Sequence, residues 1–280
     1  MIAYVFYQIG YFFATFLPLK AAYGVAIALS YAKYYLSPRD RRAVISNLLK
    51  ILPREQHHQV NSFAKQVFVN FGKYLIEFFR VKYLKKEDIR KIMTIIGLEY
   101  IDEALKKGKG VIIVAAHLDN WELGGVCMAL LGYPFVAVAL PHRHPEVNAL
   151  FNRQRERIGA VVVPSLGIAL RRIYEALHKN QLVALVGDRV FSNNGKLMDF
   201  LGEKKMMPRG PAILATRTGA AIITGFVARD EHDHHTLTFS RPLAQGLTED
   251  EYIEAYTRSI EAQIRKYPTQ WMMFREFWKE

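Results

Sequence analysis

Residues 111–125 read "VIIVAAHLDNWELGG", and the fold turns on how this stretch is taken. A run of β-branched and small apolar residues ends at His117. Glu122 follows five positions later, and Gly124 and Gly125 close the segment. On a single helix, five residues would put the two side chains roughly 140° apart, since each residue turns about 100°. A strand, a turn and a helix bring them together instead. The pattern predicts a buried strand over 111–116, a turn through Leu118, Asp119 and Asn120, and a helix from near Trp121. Glu122 then lies in the first helical turn and points back at His117. A carboxylate that holds one imidazole nitrogen leaves the other free as a general base. The helix N-terminus adds backbone N–H groups for a developing oxyanion. The same residues also suit a packed histidine beside an ordinary helix cap at Asp119 or Asn120, and the stretch by itself leaves both readings open.

Outward from this segment the chain alternates. "FVAVAL" (135–140), "AVVVP" (160–164), "LVALVG" (182–187) and "AAIITGFVA" (220–228) read as buried strands. The stretches 121–131, 146–158, 167–179 and 209–218 between them read as helices. Residues 55–84 have helical periodicity, "IMTIIG" (92–97) is a short strand, and "YIDEALKKGKG" is a helix stopped by glycine. "HTLTFSRPL" reads as a later edge strand, and 248–266 as a last amphipathic helix. Alternation of this kind gives an α/β domain: a mostly parallel central sheet flanked by helices. Functional groups in such sheets gather beyond the C-terminal ends of strands, which is where His117 stands.

The chain has 280 residues and a formal net charge of +12, which attracts polyanions such as acidic lipid headgroups, phosphorylated substrates or nucleic acid. No helix-turn-helix or aromatic–basic stacking pattern supports nucleic acid. The single cysteine, Cys127, excludes a disulfide framework within one chain and a cysteine-based zinc ribbon. The first 19 residues, "MIAYVFYQIGYFFATFLPL", carry no charge, and "AAYGVAIALSYA" follows after Lys20. The uncharged start and the poor cleavage site at Pro18-Leu19-Lys20 argue against a signal peptide. The expectation is a retained hydrophobic helical segment over 1–36 that meets the membrane, broken at Pro18, with the catalytic domain over 37–280. Up to residue 50 there are six basic residues and one acidic, which favours anionic lipid and the cytoplasmic side. Whether the segment spans the bilayer or lies in its interface stays open.

"GKGVIIVAAHLDNWELGG" (108–125) resembles the first block of the late lipid A biosynthesis acyltransferases, the lauroyl and myristoyl transferases. These belong to the wider glycerolipid acyltransferases, whose signature is His, four residues, then Asp or Glu. His117, Asn120, Trp121, Glu122 and Leu123 fit this branch. "NRQRERIG" (152–159) resembles the family's Arg-containing helix, with Arg155 in the favoured place. "LVALVGDR" (182–189) resembles the strand that ends in Asp, and "FLGEKKMMPRGPAILATRTGAAII" (200–223) the Phe-Gly and Gly-Pro-Ala stretch. "IRKYPTQWMMFREFW" (264–278) resembles the Pro-Glu-Gln-Trp ending. Arg189 stands where Gln is usual, Thr224-Gly225 where Pro is common, and Thr269 replaces Glu; the Phe277-Trp278 ending is also altered. These departures bear on the acceptor and donor.

The resemblance implies transfer of a fatty acyl group from a thioester to a hydroxyl of a lipid A precursor, or of another bacterial glycolipid such as a phosphatidylinositol mannoside. His117 is then the general base and Glu122 its orienter, with no acyl-enzyme. Cys127 is read as packing. The donor is acyl carrier protein or acyl-CoA as co-substrate, no cofactor is implied, and the place is the cytoplasmic face of the bacterial inner membrane. Arg155 is the first choice for holding phosphate, then Arg189 and Arg209; Arg143, Arg153 and Arg157 suit a solvated basic face equally well. Asn120 and Trp121 are expected beside the substrate, Asp188 to position Arg189 or Arg155, and Gly210 with Pro211 to shape a substrate loop. A metal at "DEHDHH" (230–235) is disfavoured by its spacing, and His142 and His144 follow a different strand from His117.

Overall fold

The computed structural model describes residues 2–139, 145–156, 161–164, 169–190 and 195–279; the side chains of 2–7, 9, 138, 139, 147, 155, 156 and 161–164 lie outside that description. Four helices come first: α1 (Ile2–Phe16), α2 (Leu19–Leu36), α3 (Pro38–Ile51) and α4 (Val60–Arg80). Pro18 separates α1 from α2, and Pro38 starts α3 at the position where its missing N–H costs nothing. Residues 54–59 form a 3₁₀ turn, so the long helix expected over 55–84 is confined to α4.

Helices α1 and α2 pack on α4, where Ala14, Ala22 and Ala26 meet Ile76, Phe78 and Phe79. Small residues allow the close approach. A Cβ at Gly72 of α4 would stand 2.3 Å from Ser30 Oγ and 3.1 Å from the Ala26 carbonyl. The opposite faces expose Phe12, Phe16, Leu29, Tyr35 and Leu36. Among the described residues no helix is long and apolar enough to cross a membrane. The 15 residues of α1 rise about 22 Å, short of the ~30 Å hydrocarbon core.

The α/β part begins with α5 (Ile89–Ile92), β1 (Met93–Ile96), α6 (Leu98–Leu105) and β2 (Val111–Ala115). It continues through α7 (Trp121–Leu130), β3 (Phe135–Ala139), α8 (Pro145–Glu156), β4 (Val161–Pro164), α9 (Ala169–His178) and β5 (Leu182–Val186). A hairpin, β6 (Gly195–Phe200) and β7 (Glu203–Pro208), forms a separate two-stranded sheet that the sequence reading had not assigned. Then come α10 (Gly210–Thr218), β8 (Ala221–Arg229), β9 (His235–Phe239) and α11 (Glu249–Lys266).

The main sheet has seven strands in the order β1-β9-β8-β2-β5-β3-β4. The five from β8 to β4 are mutually parallel; β9 runs antiparallel to β8, and β1 is parallel to β9. The expectation that "HTLTFSRPL" forms an edge is therefore corrected: β1 pairs with β9 from outside and takes the edge. Strand β2 sits in the middle because it is apolar on both faces. Ile112 and Val114 enter one core with α9, α10 and α11, while Val111 and Ile113 enter the other with α6 and α7. After β2 the chain moves to β3 and β4, returns to insert β5 beside β2, and later lays β8 on the other side. The C-terminal end of β2 thus opens where strand order reverses, the usual place for a ligand crevice.

Candidate active site

His117 follows the end of β2, and Asp188 follows the end of β5 at the same level. The last register pair of these strands is Ala115 with Val186, so two residues further on His117 faces Asp188. The backbones stay together past the strands, with Gly187 N–H donating to Ala115 O at 2.8 Å. Gly187 is needed there: a Cβ would stand 2.6 Å from Val114 Cγ1. Asp188 is fully buried and accepts the His117 backbone N–H on Oδ2 at 3.0 Å, while its Oδ1 lies 2.7 Å from His117 Nδ1. Burial opposes the charged carboxylate, but His117, the Trp271 N–H and the His117 backbone N–H outweigh it and hold Asp188 below the usual carboxylate range. A carboxylate acceptor at Nδ1 places the imidazole proton there and leaves the lone pair on Nε2. The His117 side chain is 19 % exposed, and its ring lies 4.9 Å from that of Trp121, edge-on.

The segment near residue 271 closes the site from above. Trp271 Nε1–H donates to Asp188 Oδ2 at 2.9 Å, and Met272 N–H to His117 O at 2.8 Å. Leu118 and Trp271 form an isolated antiparallel bridge. The imidazole, its carboxylate and the indole therefore come from three separate parts of the chain.

The model of the bacterial lipid A biosynthesis acyltransferases matches residues 1–280. The chain belongs to this family. It is an acyltransferase, as its relatives are. It is 24% identical over 235 residues to the phosphatidylinositol mannoside acyltransferase of Mycolicibacterium smegmatis, covering 83% of this chain and 77% of that protein. It is 31% identical over 159 residues to the protein of the same description from Mycobacterium tuberculosis, covering 55% of this chain and 50% of that one. It is 25% identical over 252 residues to the lipid A biosynthesis palmitoleoyltransferase of Escherichia coli, covering 89% and 81%.

Against the family signature, one expectation needs correction. Glu122 does lie in the first turn of α7, partly exposed, but it is not the carboxylate on the imidazole. Among the described residues the His117 ring hydrogen-bonds to Asp188 alone. The reason is strand register: two parallel neighbours that end together present their next residues side by side, whereas a residue beyond a turn has to reach back. The described side-chain partners of Asp188 are His117 and Trp271. Arg189 is partly buried next to Asp188, and the Arg155 side chain, like Arg143 and Arg157, lies outside the described residues.

Asn120 is buried and caps α7, its Oδ1 accepting the Leu123 N–H at 2.9 Å while its Nδ2 donates to Glu77 at 2.7 Å. Trp121 lies between His117 and Tyr74, stacked on the tyrosine at 5.0 Å. Arg209 and Gly210 open α10, where Arg209 pairs with Glu249 at 2.7 Å and makes no hydrogen bond or ion pair with His117 or Asp188. Cys127 is fully buried in α7, and burial pushes its thiol up to about 12.

The sequence reading missed a second set of residues behind the site. Glu77 of α4, Asp119, Arg229 and His235 form a buried cluster. Glu77 interrupts the apolar face of α4, and a buried charge there demands a partner; that was the available signal. The "DEHDHH" residues are taken up locally. Asp230 accepts the N–H groups of His232 and His234, Asp233 pairs with Lys73 at 2.6 Å, and His235 enters the cluster. Burial lowers the proton affinity of His235, but Glu77 and Asp119 reverse this and raise its pKa to about 9. Glu77 is held well below the usual carboxylate range, where Arg229 and His235 outweigh its burial.

Proposed function

We propose that the chain transfers a fatty acyl group from a thioester to a hydroxyl of a bacterial glycolipid, with Nε2 of His117 as the general base. One observation carries this reading: His117 Nδ1 is bound by a buried carboxylate, while Nε2 has no hydrogen-bond partner among the described residues, at the strand-order crevice beside Trp121. The acceptor hydroxyl gives its proton to Nε2 as its oxygen attacks the thioester carbonyl. The new C–O bond forms, the C–S bond breaks, and the imidazolium returns the proton to the leaving thiolate. Asp188 fixes the tautomer and stabilises the imidazolium. The buried, high-pKa Cys127 supports a direct transfer without an acyl-enzyme. We place Glu122 with Trp121, Arg155 and Arg189 on the substrate side, and Arg209 with Gly210 in the supporting loop.

The relatives supply two acceptor classes, phosphatidylinositol mannoside and lipid A, and the chain is given one of these. The donor is acyl carrier protein or acyl-CoA. Exposed Phe12, Phe16, Leu29 and Leu36 with nearby Lys20, Arg39 and Arg42 support an enzyme seated on the anionic cytoplasmic face of the inner membrane, its N-terminal helices in the interface.

Mass spectrometry of lipids from a strain lacking the gene tests the reading. One of the two lipid classes should lose an acyl chain and regain it with the intact gene, but not with His117→Ala. Full rescue by His117→Ala would overturn His117 as the base. No change in either class would remove both acceptors.

A further inference from the structure

Asp119 has φ 43°, in the left-handed region where a non-glycine residue stays only if its surroundings hold it. It is fully buried, and each carboxylate oxygen has one partner. Oδ1 takes Arg229 Nε–H at 3.1 Å, Oδ2 lies 2.7 Å from His235 Nδ1, and its own N–H donates to Gln270 O at 2.8 Å. Arg229 and His235 are the last register pair of β8 and β9, so their side chains leave the same face of the sheet side by side. Glu77 closes the cluster from α4, accepting Arg229 at 2.6 and 2.9 Å and Asn120 Nδ2–H at 2.7 Å, with the Tyr23 hydroxyl as a further donor.

Both residues that connect His117 and Leu118 to α7 are thereby locked. Set against apolar packing of the same volume, a buried ion cluster of this kind adds little net stability, because desolvation consumes most of the attraction, although removing one member is costly. Backbone strain persists where it sets the geometry of a site. We propose that Arg229 and His235 are positioning residues for the reaction. Acting through Asp119, they hold the 117–120 turn in one conformation, so that the imidazole, Asp188 and Trp121 face the substrate together. The proposal rests on His117 being the base.

Asp119→Asn keeps the size and the tolerance for a left-handed backbone, and His235→Gln keeps a donor. Each is compared with the unaltered chain and with His117→Ala, on whichever of the two acceptor lipids the unaltered chain acylates. The Nδ1–H proton resonance of His117, identified by its loss in His117→Ala, is followed in protein with ¹⁵N-labelled histidine. Both variants should keep a native near-ultraviolet circular dichroism spectrum and an acceptor KM within about twofold. Their kcat should fall about 10–100-fold, as for a catalytic group displaced by up to roughly 1 Å, and the His117 resonance should shift or broaden. Folded variants with unchanged kcat and resonance overturn the proposal. So do variants that both unfold, which makes the cluster a stability element. Full activity in His117→Ala fails the proposed mechanism instead.

Discussion

Replacing Asp188 by asparagine tests the site most directly, because the hydrogen-bond count forces the outcome. Three donors converge on the Asp188 carboxylate: His117 N–H and Trp271 Nε1–H on Oδ2, and His117 Nδ1–H on Oδ1. An amide has one oxygen. Placed toward the two donors, it satisfies both and turns its NH2 toward Nδ1. The opposite orientation sets an NH2 against two buried donors, and at about 1–3 kcal/mol for each unsatisfied group it is disfavoured by roughly 2–6 kcal/mol. The NH2 facing Nδ1 needs a lone pair there, so the proton moves to Nε2 and the base is lost. A tautomer locked in this way lowers kcat by about 10⁴-fold, or about 5 kcal/mol of barrier. The fold should persist, since asparagine fills the same volume and the two-donor side is intact. The assay is transfer of labelled acyl chain at saturating acceptor, with circular dichroism as the control. Asp188→Asn within tenfold of the unaltered chain, together with an inactive Glu122→Gln, would refute this account and return Glu122 to the imidazole.

Trp271→Phe removes one donor from Asp188 and keeps most of the packing. Losing that hydrogen bond of about 1 kcal/mol loosens the hold on the Asp188 carboxylate, so the urea midpoint should fall by about that much stability with the fold retained; an unchanged midpoint contradicts it. His235 has its pKa raised from 6.5 to about 9, so its charged form contributes stability that is full below pH 6.5 and is lost as the pH rises through 9. The loss is on the order of 3 kcal/mol, read as a falling urea midpoint between pH 7 and 10 that should flatten in His235→Gln; equal slopes argue against a charged His235. Cys127→Ala should leave transfer intact, and native Cys127 should resist iodoacetamide until the protein is unfolded; rapid alkylation with loss of activity would point to a thiol role.

Apart from the β6–β7 hairpin, the strands and helices from 111 to 266 were legible because each is set by its own residues. Fully apolar β-branched runs make the buried strands, and periodic stretches between them make the helices. What could not be read locally is what lies beside what. β9 looks like an edge strand until β1, more than a hundred residues earlier in the chain, pairs with it from outside. His117 was legible as a histidine at a strand end, but its nearest carboxylate in sequence is not its nearest in space. Asp188 is 71 residues away and reaches it only through the register of β2 with β5. Trp271 stood in a motif that carried the family resemblance, yet nothing in that motif says which carboxylate its N–H meets. Glu77 could have been singled out as a charge on an apolar helix face, though its partners Arg229 and His235 follow only from the β8–β9 pairing.

The ties that aim His117 all span long stretches of chain. Asp188 is reached across 71 residues, Trp271 meets Asp188 across 83, and Arg229 meets Asp119 across 110 and Glu77 across 152. Closing loops of that length is entropically costly and slow, and none of these ties forms early. A polypeptide still emerging from the ribosome carries His117 for 154 residues before it acquires Trp271. No folding intermediate that stops short of the assembled sheet carries an aimed base. On the proposed mechanism the aimed imidazole therefore arrives with the native state, and a half-made chain has no means of spending acyl donor on water.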